Sequence, residues 1–171
     1  MSSDYLEREE MAAHLPTLVI NPAMSQFFID NVFWIFFGAL TLTGYAITDG
    51  RLKAALIFLF TATVLILFIR YVKFARIKYI ITAEQVIFLH GTLTQHTDYM
   101  ELYRVVDYSQ HRSFLQQIGG LKTVFIYSGD RSMPVLPVVG VPYEDDIVSL
   151  IRYRVEINKR RRGVYEITNR M

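Results

Sequence analysis

The chain has 171 residues, 52% of them hydrophobic. Its mean hydropathy of +0.26 is higher than expected of a soluble domain that keeps about half its residues polar. A formal net charge of +2 is too small to make the chain a polycation, and the absence of cysteine excludes disulfides, thiolate metal sites and cysteine nucleophiles.

The first residues, MSSDYLEREEM, are acidic where a secretory signal carries positive charge, so residues 1–26 read as an N-terminal segment without a cleaved signal. From Phe27 to Ile47 the chain is strongly apolar, with Asp30 and Asn31 at headgroup level and Trp34 and Tyr45 toward opposite ends. A second apolar run, Leu52 to Val72, carries no charge between Lys53 and Arg70 and matches the roughly 20 residues a bilayer core requires. Thr48-Asp49-Gly50-Arg51 is too short a connection for anything but an antiparallel turn, so residues 27–76 are expected to form a transmembrane helical hairpin. The competing reading is a buried helical hairpin in a soluble protein. Arg70, Lys73, Arg76 and Lys78 flank the open end, against Arg51 and Lys53 in the loop. The positive-inside rule then places both termini and the following domain on the cytoplasmic side.

Beyond Lys78 the pattern shifts to short segments rich in Ile, Val, Tyr and Thr, separated by Gly and polar clusters. Lys78–Thr82, Gln85–His90, Leu93–Tyr99, Val105–His111, Leu121–Tyr127 and Met133–Val139 are the expected strands. Ala83-Glu84 and Gly129-Asp130-Arg131 are turns between antiparallel partners. The segment after Pro142-Tyr143-Glu144-Asp145-Asp146 repeats Ile147, Leu150, Ile151 and Arg154 at helical spacing. It ends in Lys159-Arg160-Arg161-Arg162, so acids open the helix and bases close it, as the macrodipole favours. Residues 77–163 thus form one α+β domain with a C-terminal helix, followed by a tail over 164–171.

Three stretches carry a likeness beyond periodicity: KYIITAEQVIFLHGTLT from Lys78 to Thr94, LYRVVDY from Leu102 to Tyr108, and FLQQIGGLKTV from Phe114 to Val124. With the hairpin before them, they resemble bacterial pleckstrin-homology (PH) domains attached to an N-terminal transmembrane pair. The resemblance implies two orthogonal antiparallel sheets in a partly open barrel, closed at one end by the C-terminal helix, with Ile147, Leu150 and Ile151 as the plug. It also implies a bacterial inner-membrane location and a tendency to ring-like self-assembly. Phosphoinositide recognition in eukaryotic PH domains uses basic residues around the loop joining the first two strands. Taking Thr82-Ala83-Glu84-Gln85 as that loop, short and without positive charge, no phosphoinositide pocket is expected.

Candidate chemistry is sparse. His90 and His96 bracket a turn with no third ligand near them, His14 and His111 stand apart, and Glu144, Asp145 and Asp146 are explained by the helix start. Ser109 and His111 share a strand face, with nothing to complete a triad. No phosphate loop or hydrolase elbow is present, so neither an enzyme nor a cofactor is expected. The expected function is a non-enzymatic, membrane-anchored module mediating protein assembly, as a homo-oligomer or a subunit of a larger membrane complex. Its docking edge would be Met133, Val135, Leu136 and Val138, since Pro134 and Pro137 confine that strand to an edge and its consecutive apolar residues leave apolar surface outside a one-sheet core. The alternative is an anionic-lipid surface sensor, with contacts from Arg70, Lys73, Arg76, Lys159, Arg160, Arg161 and Arg162, and a weaker third reading is a lipid-acting enzyme. Nucleic acid is not an expected partner.

Overall fold

The computed structural model describes residues 15–162; His14, most of the N-terminal segment and the tail over 164–171 lie outside the described residues. Two antiparallel sheets and a C-terminal helix form the β-rich part, and an apolar helical hairpin is inserted into it.

The insertion is visible because the first strand precedes the hairpin. β1 (Leu18–Ile20) pairs with β2 (Lys78–Ile81) in antiparallel register, Leu18 opposite Ile81 and Ile20 opposite Tyr79. The domain expected to begin at residue 77 therefore also contains residues 18–20. Three apolar residues have no readable period, and their partner lies across the whole hairpin. β3 (Gln85–His90) and β4 (His96–Glu101) complete a four-stranded sheet in the order β1-β2-β3-β4. β4 starts later than expected because residues 91–95 form a turn. There Gly91 has φ +114, and an added methyl would collide with the Thr94 carbonyl oxygen. After a 3-10 turn at Leu102–Arg104, β5 (Val105–His111), β6 (Leu121–Ser128) and β7 (Val135–Pro142) make the second sheet in the order β5-β6-β7.

Period-two alternation fills the space between the sheets. Tyr79, Ile81, Val86, Met100, Leu102, Val105, Val124, Ile126, Leu136, Val138 and Val141 are buried together, and Ile147, Ile151 and Val155 of the C-terminal helix close the core. Leu150, expected in the plug, faces outward, and Val155 takes its place. That helix (Ile147–Arg161) is capped by Asp146, whose carboxylate accepts from Ser149 N at 3.2 Å; this bonding holds the Asp146 carboxyl below the usual range. Pro142 ends β7 and takes no part in the helix.

Three helices lie between β1 and β2: α1 (Met24–Asp30), α2 (Val32–Ile47) and α3 (Arg51–Ala75). α1 and α2 were expected as one span but meet at a 66° bend. The cause is Asn31, whose side-chain Nδ2 donates to Phe27 O at 2.7 Å and whose backbone leaves the helical region. α3 is long and apolar enough to cross a membrane, and the bent α1–α2 pair is so only when taken as one span. α2 and α3 pack along buried Gly38, Thr41 and Thr63, with the threonine hydroxyls donating to carbonyls of their own helices.

Two helices belong to the β-rich part: α4 (Phe114–Ile118), between β5 and β6, and α5, the C-terminal helix Ile147–Arg161. α4 opens with a capping box: Ser113 Oγ accepts from Gln116 N, and Gln116 Oε1 accepts from Ser113 N.

Candidate functional site at the base of the hairpin

The hairpin is fastened to the β-rich part through α1. Ala23 N donates to Gly140 O at 2.9 Å, and Gln116 Nε2 donates both to Gln26 Oε1 at 2.9 Å and to Thr123 Oγ1 at 2.8 Å, with both glutamines buried. Gly140 has φ +67, and a methyl there would lie 2.9 Å from Gln26 Cβ, so only glycine permits this approach. Phe27 packs its ring against Tyr71 and Phe74 of α3 at 5.7 and 5.6 Å. On the other side of the bend, Arg70 Nη1 donates to Asn31 Oδ1 at 3.1 Å, with its guanidinium 5.8 Å from the Trp34 ring.

At this junction the last turn of α3 faces the β3–β4 hairpin across a cavity of about 430 Å³. Ala75, Arg76, Lys78, Leu89, His90, Gly91, Thr92, Leu93 and Gln95 line it. An aromatic ladder leads to it from the core: Tyr79 stacks on Phe88 at 5.0 Å, Phe88 on His90 at 4.6 Å, and His90 on His96 at 5.5 Å. His90 and His96 are direct cross-strand partners, and His90 Nδ1 lies 3.6 Å from Asp98 Oδ2, beyond hydrogen-bond length. Among the described residues no group of three His, Cys, Asp or Glu is placed to hold a metal ion. Ser109 Oγ sits 3.2 Å from Tyr127 OH, and His111 pairs with Thr123.

The basic residues picked out in the sequence fall into two separate places. Arg70, Lys73 and Arg76 line the end of α3 at the junction, where Lys78 begins β2. The C-terminal run sits at the far end of β2, by the Ala83-Glu84 turn. Asn158 Nδ2 donates to Ala83 O at 2.7 Å, Arg161 Nη1 pairs with Glu84 Oε1 at 3.2 Å, and Arg162 stacks over Tyr103 at 4.3 Å. The four residues of β2 alone put ~13 Å between the junction and the start of the Ala83-Glu84 turn, at ~3.3 Å per residue. Arg161 and Arg162 are therefore held at the opposite end of β2 from Arg76. Lys159 belongs to the same far-end run.

The expected docking edge is corrected in its central residues. β7 is an edge strand, but Leu136 and Val138 point into the core and are buried; Val135 and Pro137 face outward, and Met133 is half-buried against the core. Alternation along the strand accounts for the consecutive apolar residues without an exposed stripe. Part of the edge is also occupied within the chain, because Tyr79 OH donates to Pro137 O at 2.9 Å and accepts from Val139 N at 3.4 Å.

The insertion of the hairpin decides how the domain is compared with others. Residues 32–155 match the bacterial PH domain family. The chain belongs to that family. PH domains are in general non-catalytic. The match starts after β1 and α1, and β1 joins the PH-like sheet through its pairing with β2. No curated protein and no solved structure matches the chain. In this PH domain the loop joining the first two strands is the hairpin-bearing segment between Ile20 and Lys78, and Thr82–Gln85 joins the second strand to the third. The lack of positive charge at Thr82–Gln85 therefore does not bear on a headgroup pocket. The cavity carrying Arg76, Lys78 and His90 was missed in the sequence because its lining residues come from a helix end and a turn that only the fold brings together.

Proposed function

We propose that this protein is a membrane-anchored, non-catalytic PH-like module whose junction cavity takes the headgroups of anionic lipids from the leaflet at the hairpin's base. The observation that carries this reading is the cavity itself, with Arg76, Lys78 and His90 in its wall, next to the last turn of α3. Anchoring is supported by α3, whose full length is about 37 Å and whose charge-free run from Ala54 to Ile69 is about 24 Å at 1.5 Å per residue, against a hydrocarbon core of about 30 Å. Only 6% of the most apolar stretch of α3 is buried, so no other part of the described chain covers it as a soluble core would. The seam of Gly38, Thr41 and Thr63 is of the small-residue kind that packs helices in lipid. The excess of lysine and arginine at the open end of the hairpin favours a cytoplasmic PH-like domain.

Arg76 and Lys78 are exposed, so recognition is by charge and falls with salt, without preference for an inositol headgroup over another of equal charge. The test is lipid retention by the full-length chain in nanodiscs of phosphatidylcholine and phosphatidylglycerol, read by native mass spectrometry. Arg76→Gln and Lys78→Gln are each expected to weaken phosphatidylglycerol retention roughly five-fold, about 1 kcal/mol per charge. Arg160→Gln with Arg161→Gln serves as the distal control and is expected to leave retention unchanged. Equal loss from both clusters, or salt-resistant selectivity for an inositol headgroup, overturns the reading.

Protein assembly is the second reading, with one observation in its favour. β5 is a sheet edge on which Val106 is 63% exposed. The same native spectra report the mass of the particle, and a strictly monomeric chain removes this reading.

A further inference from the structure

α4 is only five residues long, yet it is held on three sides. The Ser113 cap fixes its start, Gln116 is tied into the buried network with Gln26 and Thr123, and a methyl added at Gly119 would lie 3.2 Å from Ile29 Cδ1 of α1. Against that fixed inner side, the outer face presents Phe114 at 75% exposure and Ile118 at 71%, four residues apart on one face of the turn. Such a pair left in water is unfavourable. The helix cannot turn it inward without breaking the Gln116 bonds.

Its position indicates what covers it. Ile29, which touches the end of α4, is two residues before the Asn31 bend where the apolar hairpin begins, and Phe28 and Phe33 on either side of that bend are exposed too. The apolar surface of α4 is therefore set beside the start of the hairpin, at the level of Arg70 and Trp34. A cation stands beside it: the Arg112 guanidinium lies 3.9 Å from the exposed Tyr143 ring, whereas Lys122, over the same ring, is buried. Aromatic and aliphatic side chains beside an arginine stacked on an exposed tyrosine are a composition that suits the boundary of headgroups and acyl chains.

We propose that α4 is a second membrane contact, inserting Phe114 and Ile118 into the headgroup–acyl boundary of the leaflet from which the hairpin emerges and so fixing the tilt of the PH-like domain on the bilayer. This rests on the membrane-anchored reading. Trp34 is the chain's one tryptophan, so wild-type emission reports the hairpin alone.

The experiment reconstitutes the full-length chain into phosphatidylcholine–phosphatidylglycerol vesicles containing lipids brominated near the headgroup or near the chain end. It compares wild type with Trp34→Phe combined with Phe114→Trp, with Ile118→Trp, or with Tyr153→Trp on the exposed face of α5. The expected result is that the indoles introduced at positions 114 and 118 are quenched by shallow bromine to about the extent seen for Trp34, while the one introduced at position 153 is not. Quenching of Trp34 without quenching at 114 or 118 overturns the α4 contact and leaves the anchor standing. Blue-shifted but unquenched emission from position 114 means that protein covers the face, and overturns the contact as well. No quenching at Trp34 overturns the anchored reading and this proposal with it. Position 114 or 118 alone is sufficient if the other variant does not fold.

Discussion

Gln116 Nε2 donates to Gln26 Oε1 across 2.9 Å between residues 90 positions apart, and both side chains are buried. This bond joins the helix that enters the hairpin to the helix that precedes β6, so the orientation of the PH-like domain relative to the hairpin is set by buried polar groups. Such groups are costly to leave unpaired. Gln116→Leu is expected to destabilise the chain by about 1–3 kcal/mol, because Gln26 Oε1 and the Ser113 N–H lose their partners. Gly140→Ala strains the same seam at φ +67 and is expected to add less than its full separate effect in the double variant. Thermal unfolding of wild type, the two single variants and the double variant in one mild detergent measures both effects.

Two buried tyrosine hydroxyls are expected to respond oppositely to removal. Tyr79 OH holds two backbone groups of β7, whereas Tyr108 OH is buried with no hydrogen-bond partner among the described residues. Tyr79→Phe should therefore cost about 1–2 kcal/mol, and Tyr108→Phe should be neutral or stabilising. Burial pushes both hydroxyls up to about 12 from 10.0, Tyr79 against the opposing bond from Val139 and Tyr108 against the field of Arg152. Since the unfolded chain ionises first, their contribution is intact below about pH 10 and is lost as the pH climbs toward about 12. An alkaline unfolding series on the double Phe variant should show a shallower decline than wild type.

Arg154 carries a buried guanidinium that donates to three carbonyls: Ile81 O at 3.0 Å, Thr82 O at 2.8 Å and Pro16 O at 2.7 Å. It ties the C-terminal helix to the end of β2 and to the lead into β1, and desolvation lowers its pKa. Lysine has the charge but not the planar fork, so Arg154→Lys should fail nearly as badly as Arg154→Met, at about 2–4 kcal/mol each. Chemical denaturation followed by far-UV circular dichroism compares them. A Lys variant as stable as wild type would show that charge alone suffices.

The excess of basic residues at the open end of the hairpin predicts a cytoplasmic C-terminus. An alkaline phosphatase fused after Met171 is expected to be inactive and a fluorescent-protein fusion at the same place bright. Strong phosphatase activity there would put the PH-like domain on the opposite side of the membrane and reverse the leaflet assigned to the junction cavity.

Periodicity alone was enough for elements that satisfy themselves locally. The charge-free run through Leu56 and Leu67 reads as a helix because its apolar length has no other outlet, and Gln85–His90 reads as a strand because Ala83-Glu84 leaves room for nothing but a turn. The basic run at Lys159–Arg162 likewise marks a helix end wherever that helix lies. What remained for the tertiary structure was every question of partner and facing. Leu18–Ile20 is a strand only because β2 offers it an unpaired edge on the far side of the inserted hairpin. Val135 through Val139 are all apolar, and only the position of the opposing sheet decides that Leu136 and Val138 are inside while Val135 and Pro137 are outside. The two basic clusters are alike in composition, and it is the length of β2 between them that puts one at the hairpin's base beside a cavity and the other at the far turn against Glu84. Local sequence sets which groups need burial or a charge partner; the long-range packing of the sheets, α1 and α5 sets which of them find it.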